Sequence, residues 1–389
     1  MWYFKNPFLI FGEGALDYLE QLPIKKVFIV TDKVMQQLGF VERLLKKLKN
    51  IPHQIFDEVE PDPSLETVIK GAKLCQEFGP NYIIGIGGGS VMDAGKGIFF
   101  LYHYPDQTLE SINPFMPYEE LHTKAKYITI PTTSGTGADV SWAAVLTDTA
   151  QSRKITTPSR QLVPDYAIID PSFPMEMPPA LTASTGLDAL VHAIEGYTSR
   201  WRNDFSDAYS IKSIEFIFDY LPRAYHKGED NEAREKIHNA ASMAGLSFGN
   251  SQVGFVHSIG HTIGALFHKQ HGFCVGMALP YVMEFTRNNE PMVVQQLANI
   301  GRRSLLLTGS DAEICEALIM KVRNLIKDLK APTKISELGI SKAEFDAKLS
   351  TLVTYTNEDS SISMTVPMPD IQQIEKMYHY MWEGKRVDF

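Results

Sequence analysis

The sequence predicts a chain in two parts: an α/β domain with a mostly parallel sheet over residues 1–177, then an all-helical domain over residues 178–389. Three observations carry this prediction. At about 150 residues per domain, 389 residues make two to three domains. The first half alternates short β-branched runs with helical stretches, punctuated by glycine or proline, and such strand–helix–strand repetition builds a parallel sheet covered on both faces. After Asp170-Pro171 long amphipathic stretches take over and strand-like runs become scarce.

Taken in order, Val27–Val30, Tyr82–Ile86, Tyr127–Ile130 and Tyr166–Ile169 are four to five residues long and almost wholly apolar, as buried strands are. Phe40–Lys49 and Ser64–Glu77 place apolar residues at helical spacing between the first two. Beyond the boundary near Pro178-Pro179, Leu187–Ser199, Phe205–Tyr225 and Asp230–Phe248 read as long helices. The charged segment Lys227–Lys236 reads as a solvated turn and helix start.

Composition narrows the function classes. Hydrophobic residues make up 44% and charged residues 21%, which fits a packed globular chain rather than a disordered or collagen-like one. The formal charge of −9 opposes loose adhesion to nucleic acid or anionic membrane. Cys75, Cys274 and Cys315 are too few and too scattered for a disulfide framework, so a reducing cytoplasm is expected. No stretch approaches 18 uninterrupted apolar residues, and the first residues lack the basic-then-apolar order of a leader.

Gly85-Ile86-Gly87-Gly88-Gly89-Ser90 follows a strand and leads into what reads as a helix opening at Val91-Met92-Asp93. Residues without side chains there let a diphosphate sit against backbone N–H groups at the positive end of a helix. A tight strand-to-helix turn explains the same glycines, and Ser90 stands where the usual fingerprint has its third glycine. A second strand ends in Thr31-Asp32, where a carboxylate can accept hydrogen bonds from both hydroxyls of an adenosine ribose and repel a 2′-phosphate. Here the acid precedes the glycine turn, whereas the usual dinucleotide fingerprint places it after. Pro131–Gly137 adds a third strand-terminal loop, dense in hydroxyls and glycine.

Four of the 11 histidines, His257, His261, His268 and His271, crowd into one short stretch. His257 and His261 stand four apart and share a helix face, and Asp188 and His192 repeat that spacing upstream. Two such pairs can surround one divalent cation. Spacing leaves open which histidines bind: on a continued helix His268 lies nearly under His261, and His271 falls in a turn before Gly272.

With these residues in place, the chain resembles the iron-containing (group III) alcohol dehydrogenase family over most of its length. The resemblance runs through Phe11-Gly12-Glu13-Gly14, Gly87-Gly88-Gly89-Ser90-x-x-Asp93-x-x-Lys96, Pro131-Thr132-Thr133-Ser134-Gly135-Thr136-Gly137 and Pro164-Asp165-x-Ala167-x-x-Asp170-Pro171. It continues through Gly186-x-Asp188-Ala189-x-x-His192-Ala193-x-Glu195 and His257-x-x-x-His261-x-x-Gly264 to His271-Gly272. What the resemblance implies is a dinucleotide-binding first domain and a metal-binding, catalytic second domain. It implies a metal held by Asp188, His192, His257 and His271, with His261 beside the nicotinamide as the catalytic residue. The cofactor's diphosphate is assigned to Gly88, Gly89 and Ser90, with Asp93, Thr132, Thr133, Thr136 and Lys154 lining its cleft and Asp32 favouring NAD over NADP. Iron is the family's metal, with zinc as the second choice, and the family expectation for assembly is a homodimer.

The implied activity is hydride transfer between a small primary alcohol or aldehyde and NAD(H), with the cation as a Lewis acid and His261 relaying the proton. The family pattern is broken at Asp139, at Ser141-Trp142-Ala143, at Phe267–His271, which lacks a proline many members carry, and at Val366-Pro367. These departures bear on substrate. The alternative is an NAD- and metal-dependent lyase of the dehydroquinate synthase type with no net redox change; that chemistry needs basic residues for a phosphorylated substrate, and the metal region offers only Lys269.

Overall fold

The computed structural model describes residues 4–113, 116–149, 153–157 and 159–389. They form two compact units, Met1–Glu176 and Met177–Phe389.

The first unit holds strands β1 (Phe8–Phe11), β2 (Val27–Val30), β3 (His53–Phe56), β4 (Tyr82–Gly87), β5 (Lys126–Pro131), β6 (Ala144–Asp148), β7 (Arg153–Thr157) and β8 (Tyr166–Ile169). Its helices are α1 (Lys33–Gln37), α2 (Phe40–Leu48), α3 (Leu65–Phe78) and α4 (Gly89–His103). Among the described residues six strands pair in the order β1-β8-β5-β4-β2-β3, every neighbour parallel. All four residues of β2 are buried. Phe28 and Val30 enter one apolar core while Val27 and Ile29 enter another, as the two-residue side-chain period requires of a sheet covered on both faces. That is why the central strands read as almost wholly apolar runs.

Four strands of this unit lie outside the sequence reading. β1 and β3 are the sheet's two edges, and the residues of β3, His-Gln-Ile-Phe, run from exposed to buried rather than being uniformly apolar. β6 and β7 form a separate antiparallel hairpin whose first strand alternates buried and half-buried positions. A parallel sheet places the carboxyl ends of its strands along one rim. Because β2, β4 and β5 are neighbours, the loops beginning at Thr31, Gly88 and Thr132 lie side by side. Two hydrogen bonds join them: Thr31 Oγ1 donates to the Ile86 carbonyl at 2.9 Å, and the Thr132 amide donates to the Gly87 carbonyl at 2.9 Å.

The second unit is helical throughout its described residues: α5 (Pro179–Thr198), α6 (Asp204–His226), α7 (Asn231–Ser251), α8 (Phe255–Phe267), α9 (His271–Asn289), α10 (Pro291–Leu305), α11 (Asp311–Asp328), α12 (Lys342–Glu358) and α13 (Ile371–Glu383). α5 starts on Pro179, whose missing N–H is no loss at the first helical position. α6 opens on a capping box between Asn203 and Ser206. Apolar side chains from α5 to α9 supply much of one continuous core, with Leu187, Leu190, Ile259 and Leu279 wholly buried. Among the described residues no helix is long and apolar enough to cross a membrane.

Candidate metal centre and cofactor loops

α5, α8 and α9 bring the acid and imidazole groups together. Asp188, His192 and Glu195 stand at i, i+4 and i+7 of α5 and so share one face. His257 and His261 lie one turn apart on α8. The histidine stretch departs from a continued helix after Phe267. His268 caps α8 in the left-handed conformation (φ 52°) and is exposed, so it does not lie under His261. The chain turns there, and His271 becomes the first residue of α9 rather than part of a turn. Gly272 makes this return possible, since a Cβ on it would stand 2.1 Å from the Ser184 carbonyl oxygen of α5.

Around Asp188 Oδ1 three imidazole Nε2 atoms stand at 3.5 Å (His271), 3.7 Å (His257) and 3.8 Å (His192). These separations exceed hydrogen-bonding length. Ligand atoms held about 2.1 Å from one cation in a tetrahedral arrangement stand about 3.4 Å apart, close to the 3.5–3.8 Å that separates Asp188 Oδ1 from each imidazole. The donors of Asp188, His192 and His257 all lie within 4.8 Å of one another, and His271 stands one step further out, meeting that trio through Asp188. Asp188, His192 and His257 are 3%, 6% and 2% exposed. Asp188 Oδ1 and His257 Nε2 are buried with no hydrogen-bonding partner, a costly state for polar atoms unless a cation satisfies them. A three-imidazole, one-carboxylate set therefore fits a divalent transition metal.

The electrostatics agree. Burial opposes ionisation of Asp188, but the neighbouring His192 and His271 outweigh it and hold the carboxyl well below the usual carboxylate range. Burial likewise disfavours a charged His257, yet the carboxylates of Asp188 and Glu195 on either side lift it to about 9. Burial, the largest influence on His271, instead lowers its imidazole below the ordinary value, so the charge the cluster is built around is the Asp188 carboxylate. Phe248 stacks on the His192 ring, with centroids 4.2 Å apart and planes 19° from parallel, and closes one side of it.

His261 is not one of the trio. Its ring stacks on His271 at 5.3 Å, and its Nδ1 lies 2.9 Å from Asp359 Oδ2. The Asp359 carboxylate also accepts the Ser361 amide at 2.9 Å and the Ser258 hydroxyl at 3.2 Å. Despite burial, His261 and Ser361 hold its carboxyl below the usual range. Asp359 escaped the sequence reading because 98 residues separate it from His261. Glu195 appeared there only as part of a motif, although its helical phase with Asp188 already placed it on the ligand face. Of the apolar residues near the cluster in sequence, Phe255 is a core residue packed on Phe285. Lys269 reaches the Gly339 carbonyl at 3.4 Å.

In the first unit, Gly88 caps α4 and Gly89 and Ser90 open it, leaving its N-terminal amides at the sheet rim. A Cβ on Gly89 would stand 2.8 Å from Thr136 Cγ2, and one on Gly88 would stand 3.4 Å from Thr133 Cγ2, so the glycine turn and the threonine loop pack directly on each other. Asp32 caps α1, Oδ1 accepting the Met35 amide at 3.0 Å. Thr132 is buried beside Met35. Asp93 accepts the Val145 amide at 3.1 Å, and burial pushes its carboxyl up to about 6. Lys96, wholly buried, donates to the Ala143 carbonyl at 2.6 Å, stands 3.8 Å from Asp93 and is pulled down to about 8 by burial. Lys154, on the β6–β7 hairpin, is ion-paired with Asp62, and the Asp62 amide lies 3.3 Å from Ser90 Oγ. The structure thus brings Asp32, Gly88, Gly89, Ser90, Thr132, Thr133 and Thr136 to one rim, with Asp93 one helical turn below it.

Comparison with known proteins accords with this architecture. Residues 6–171 match the model of the iron-containing alcohol dehydrogenase family, and residues 182–382 match the C-terminal model of the Fe-containing alcohol dehydrogenase family. The chain is 36% identical to an NADPH-dependent butanol dehydrogenase of Clostridium saccharobutylicum, over 98% of each chain. It is 34% identical to aldehyde-alcohol dehydrogenase 2 of Entamoeba histolytica over 97% of its own length, but spans only 46% of that protein. The solved iron-containing alcohol dehydrogenase of Thermococcus thioreducens superposes with a TM-score of 0.89 at 31% identity, covering 99% of this chain and 100% of that one. Two family models covering most of the sequence, on a fold that gathers an aspartate and three histidines, mean that this chain is an oxidoreductase belonging to the iron-containing alcohol dehydrogenase family.

Proposed function

We propose that the protein is a metal-dependent, NAD(H)-linked alcohol dehydrogenase and aldehyde reductase acting on a small primary alcohol or aldehyde. The observation that carries this reading is the set of three imidazole nitrogens at 3.5–3.8 Å from one buried carboxylate oxygen. Asp188, His192, His257 and His271 hold the cation, iron(II) in the first place and zinc(II) in the second, since this donor set suits both. When bound, the cation supplies a Lewis acid for the substrate oxygen, and the nicotinamide supplies the hydride-carrying carbon. Asp359 holds His261 by Nδ1 and leaves Nε2 as the atom that gives or takes the substrate proton. The amides opening α4 receive the cofactor's diphosphate.

Asp32 supports NAD over NADP. It follows β2, the strand beside the one that carries the glycine turn, and a carboxylate there accepts ribose hydroxyls and repels a 2′-phosphate. The name of the Clostridium relative, NADPH-dependent, points the other way for that protein. A homodimer in a reducing cytoplasm completes the proposal; the three cysteines are free and buried, as a reducing compartment permits.

The test is to strip the protein with a chelator and reload it anaerobically with iron(II) or zinc(II). Straight-chain aldehydes are then assayed with NADH and with NADPH, and the mass in solution is measured by light scattering. Activity should vanish on stripping, return with metal and favour NADH. Full turnover by exhaustively stripped protein would refute the proposal.

A further inference from the structure

Glu195 has no part in the function described so far, yet both of its carboxylate oxygens are committed at the metal cluster. It is 6% exposed and lies on the same face of α5 as Asp188 and His192. Oε1 accepts the Val256 amide at 2.7 Å, and Oε2 stands 2.6 Å from His257 Nδ1. The approach depends on Gly254, where a Cβ would stand 3.1 Å from Oε1. Gly254 caps α8 without a side chain, so the first amides of that helix find partners elsewhere: Phe255 on Thr365 Oγ1 at 2.7 Å and Val256 on Glu195.

We propose that Glu195 is the positioning residue of the metal centre: by accepting from His257 Nδ1 it fixes the tautomer whose Nε2 lone pair faces Asp188. The inference rests on the metal reading above and deepens it. A carboxylate has only acceptors, so the ring nitrogen 2.6 Å away must be the one that carries hydrogen. The other nitrogen, Nε2, is buried, lacks a hydrogen-bonding partner and lies 3.7 Å from Asp188 Oδ1. One carboxylate therefore anchors the start of α8 through Val256 and orients the ligand one residue further on. Second partners of this kind commonly set metal affinity by 10- to 100-fold.

The chemistry of glutamine sharpens the test. Its single carbonyl oxygen can serve only one of the two donors. The Val256 N–H can do nothing but donate, so it takes that oxygen and leaves the side-chain NH₂ facing His257 Nδ1. His257 must then accept at Nδ1 and carry its hydrogen on Nε2, where the cation belongs. Glu195→Asp keeps two acceptors on a shorter arm. Thr365→Val removes the neighbouring helix cap without touching His257.

Metal-stripped parent and variants are titrated with cobalt(II), followed by its visible absorption, and the ring nitrogens of zinc-loaded protein are read by ¹⁵N NMR. Glu195→Gln should weaken cobalt binding roughly 10- to 100-fold, with Glu195→Asp between it and the parent and Thr365→Val within about twofold of the parent. The zinc-loaded parent should show His257 protonated on Nδ1. The proposal is overturned if Glu195→Gln binds cobalt as the parent does, if Thr365→Val weakens binding as much, or if Nδ1 of the zinc-loaded parent carries no proton. Should Glu195→Gln fail to fold, the parent spectrum decides alone. A parent that takes up neither cobalt nor zinc sinks the metal reading itself, an outcome distinct from all of these.

Discussion

The two units of this chain build their candidate sites from different materials. The rim of the parallel sheet offers backbone amides and hydroxyls, and its requirement is that side chains stay out of the way, as Gly88 and Gly89 do against Thr133 and Thr136. The helical unit offers side-chain atoms of fixed identity, buried and mutually charged, on a scaffold whose own backbone is already satisfied. The difference teaches where each site is fragile. A backbone site fails when a methyl group is added, whereas a side-chain site fails when an atom is exchanged at constant shape.

The largest break expected is an exchange of this second kind. Asp188→Asn keeps the shape of the residue and removes the carboxylate around which the three Nε2 atoms stand. It should abolish stoichiometric metal binding and lower kcat/KM at least about a thousandfold, or about 4 kcal/mol, while NAD binding stays within about twofold. Metal analysis beside cofactor titration checks both halves.

Next comes the charge buried beside the backbone site. Lys96→Met leaves Asp93 without its partner and should destabilise the protein by about 3 kcal/mol, near the lower end for a broken buried pair because the carboxyl can take up a proton. Asp93→Asn combined with Lys96→Met should recover much of that. The pair also makes a pH prediction. Asp93 titrates near 6 when folded, above its ordinary 3.8, so the folded state holds the extra proton and the residue's contribution to stability falls as pH rises from about 4 to 6. Lys96 titrates near 8 when folded, below its ordinary 10.5, so the unfolded state holds the extra proton and its contribution rises between about 8 and 10.5. The stability difference between parent and double variant, from denaturant melts, should therefore favour the variant most between about pH 6 and 8. A flat difference would show that the two charges are not desolvated together.

Gly89→Ala tests the added methyl group. Its Cβ would meet Thr136 Cγ2 at 2.8 Å, an overpacking of about 1–3 kcal/mol that should raise KM for NAD roughly 5- to 100-fold with metal content unchanged. Thr136→Ser, which removes that methyl, should restore part of the loss. The smallest effect is expected from Asp32→Ser, which keeps an N-cap for α1 but drops the charge. It should move the ratio of NADPH to NADH use about tenfold toward NADPH. A parent enzyme that already prefers NADPH would remove Asp32 from the account of cofactor choice.

Much of this was legible in the sequence, for reasons that differ by element. β2, β4, β5 and β8 are mostly apolar and mostly buried, as a sheet covered on both faces requires; β1, Phe-Leu-Ile-Phe, is as apolar but lies half-buried to exposed at an edge, and β3, His-Gln-Ile-Phe, carries no apolar run. The i, i+4 pairs Asp188/His192 and His257/His261 announced themselves because helix geometry converts spacing into a shared face. The same logic left His268 open: periodicity is silent about where a helix stops, and α8 stops one residue earlier. Asp359 and the second oxygen of Glu195 depend on how α8 meets distant segments, and no local pattern records that.

His271 has a further consequence for the life of the enzyme. Its side chain is 36% exposed, whereas the other three donors are sealed within the helical core. An ion leaving for a chelator, or arriving from solution, has one donor it can release or engage from the outside. Substitutions at the start of α9 should therefore change how quickly a chelator strips the ion, which the time course of metal release checks.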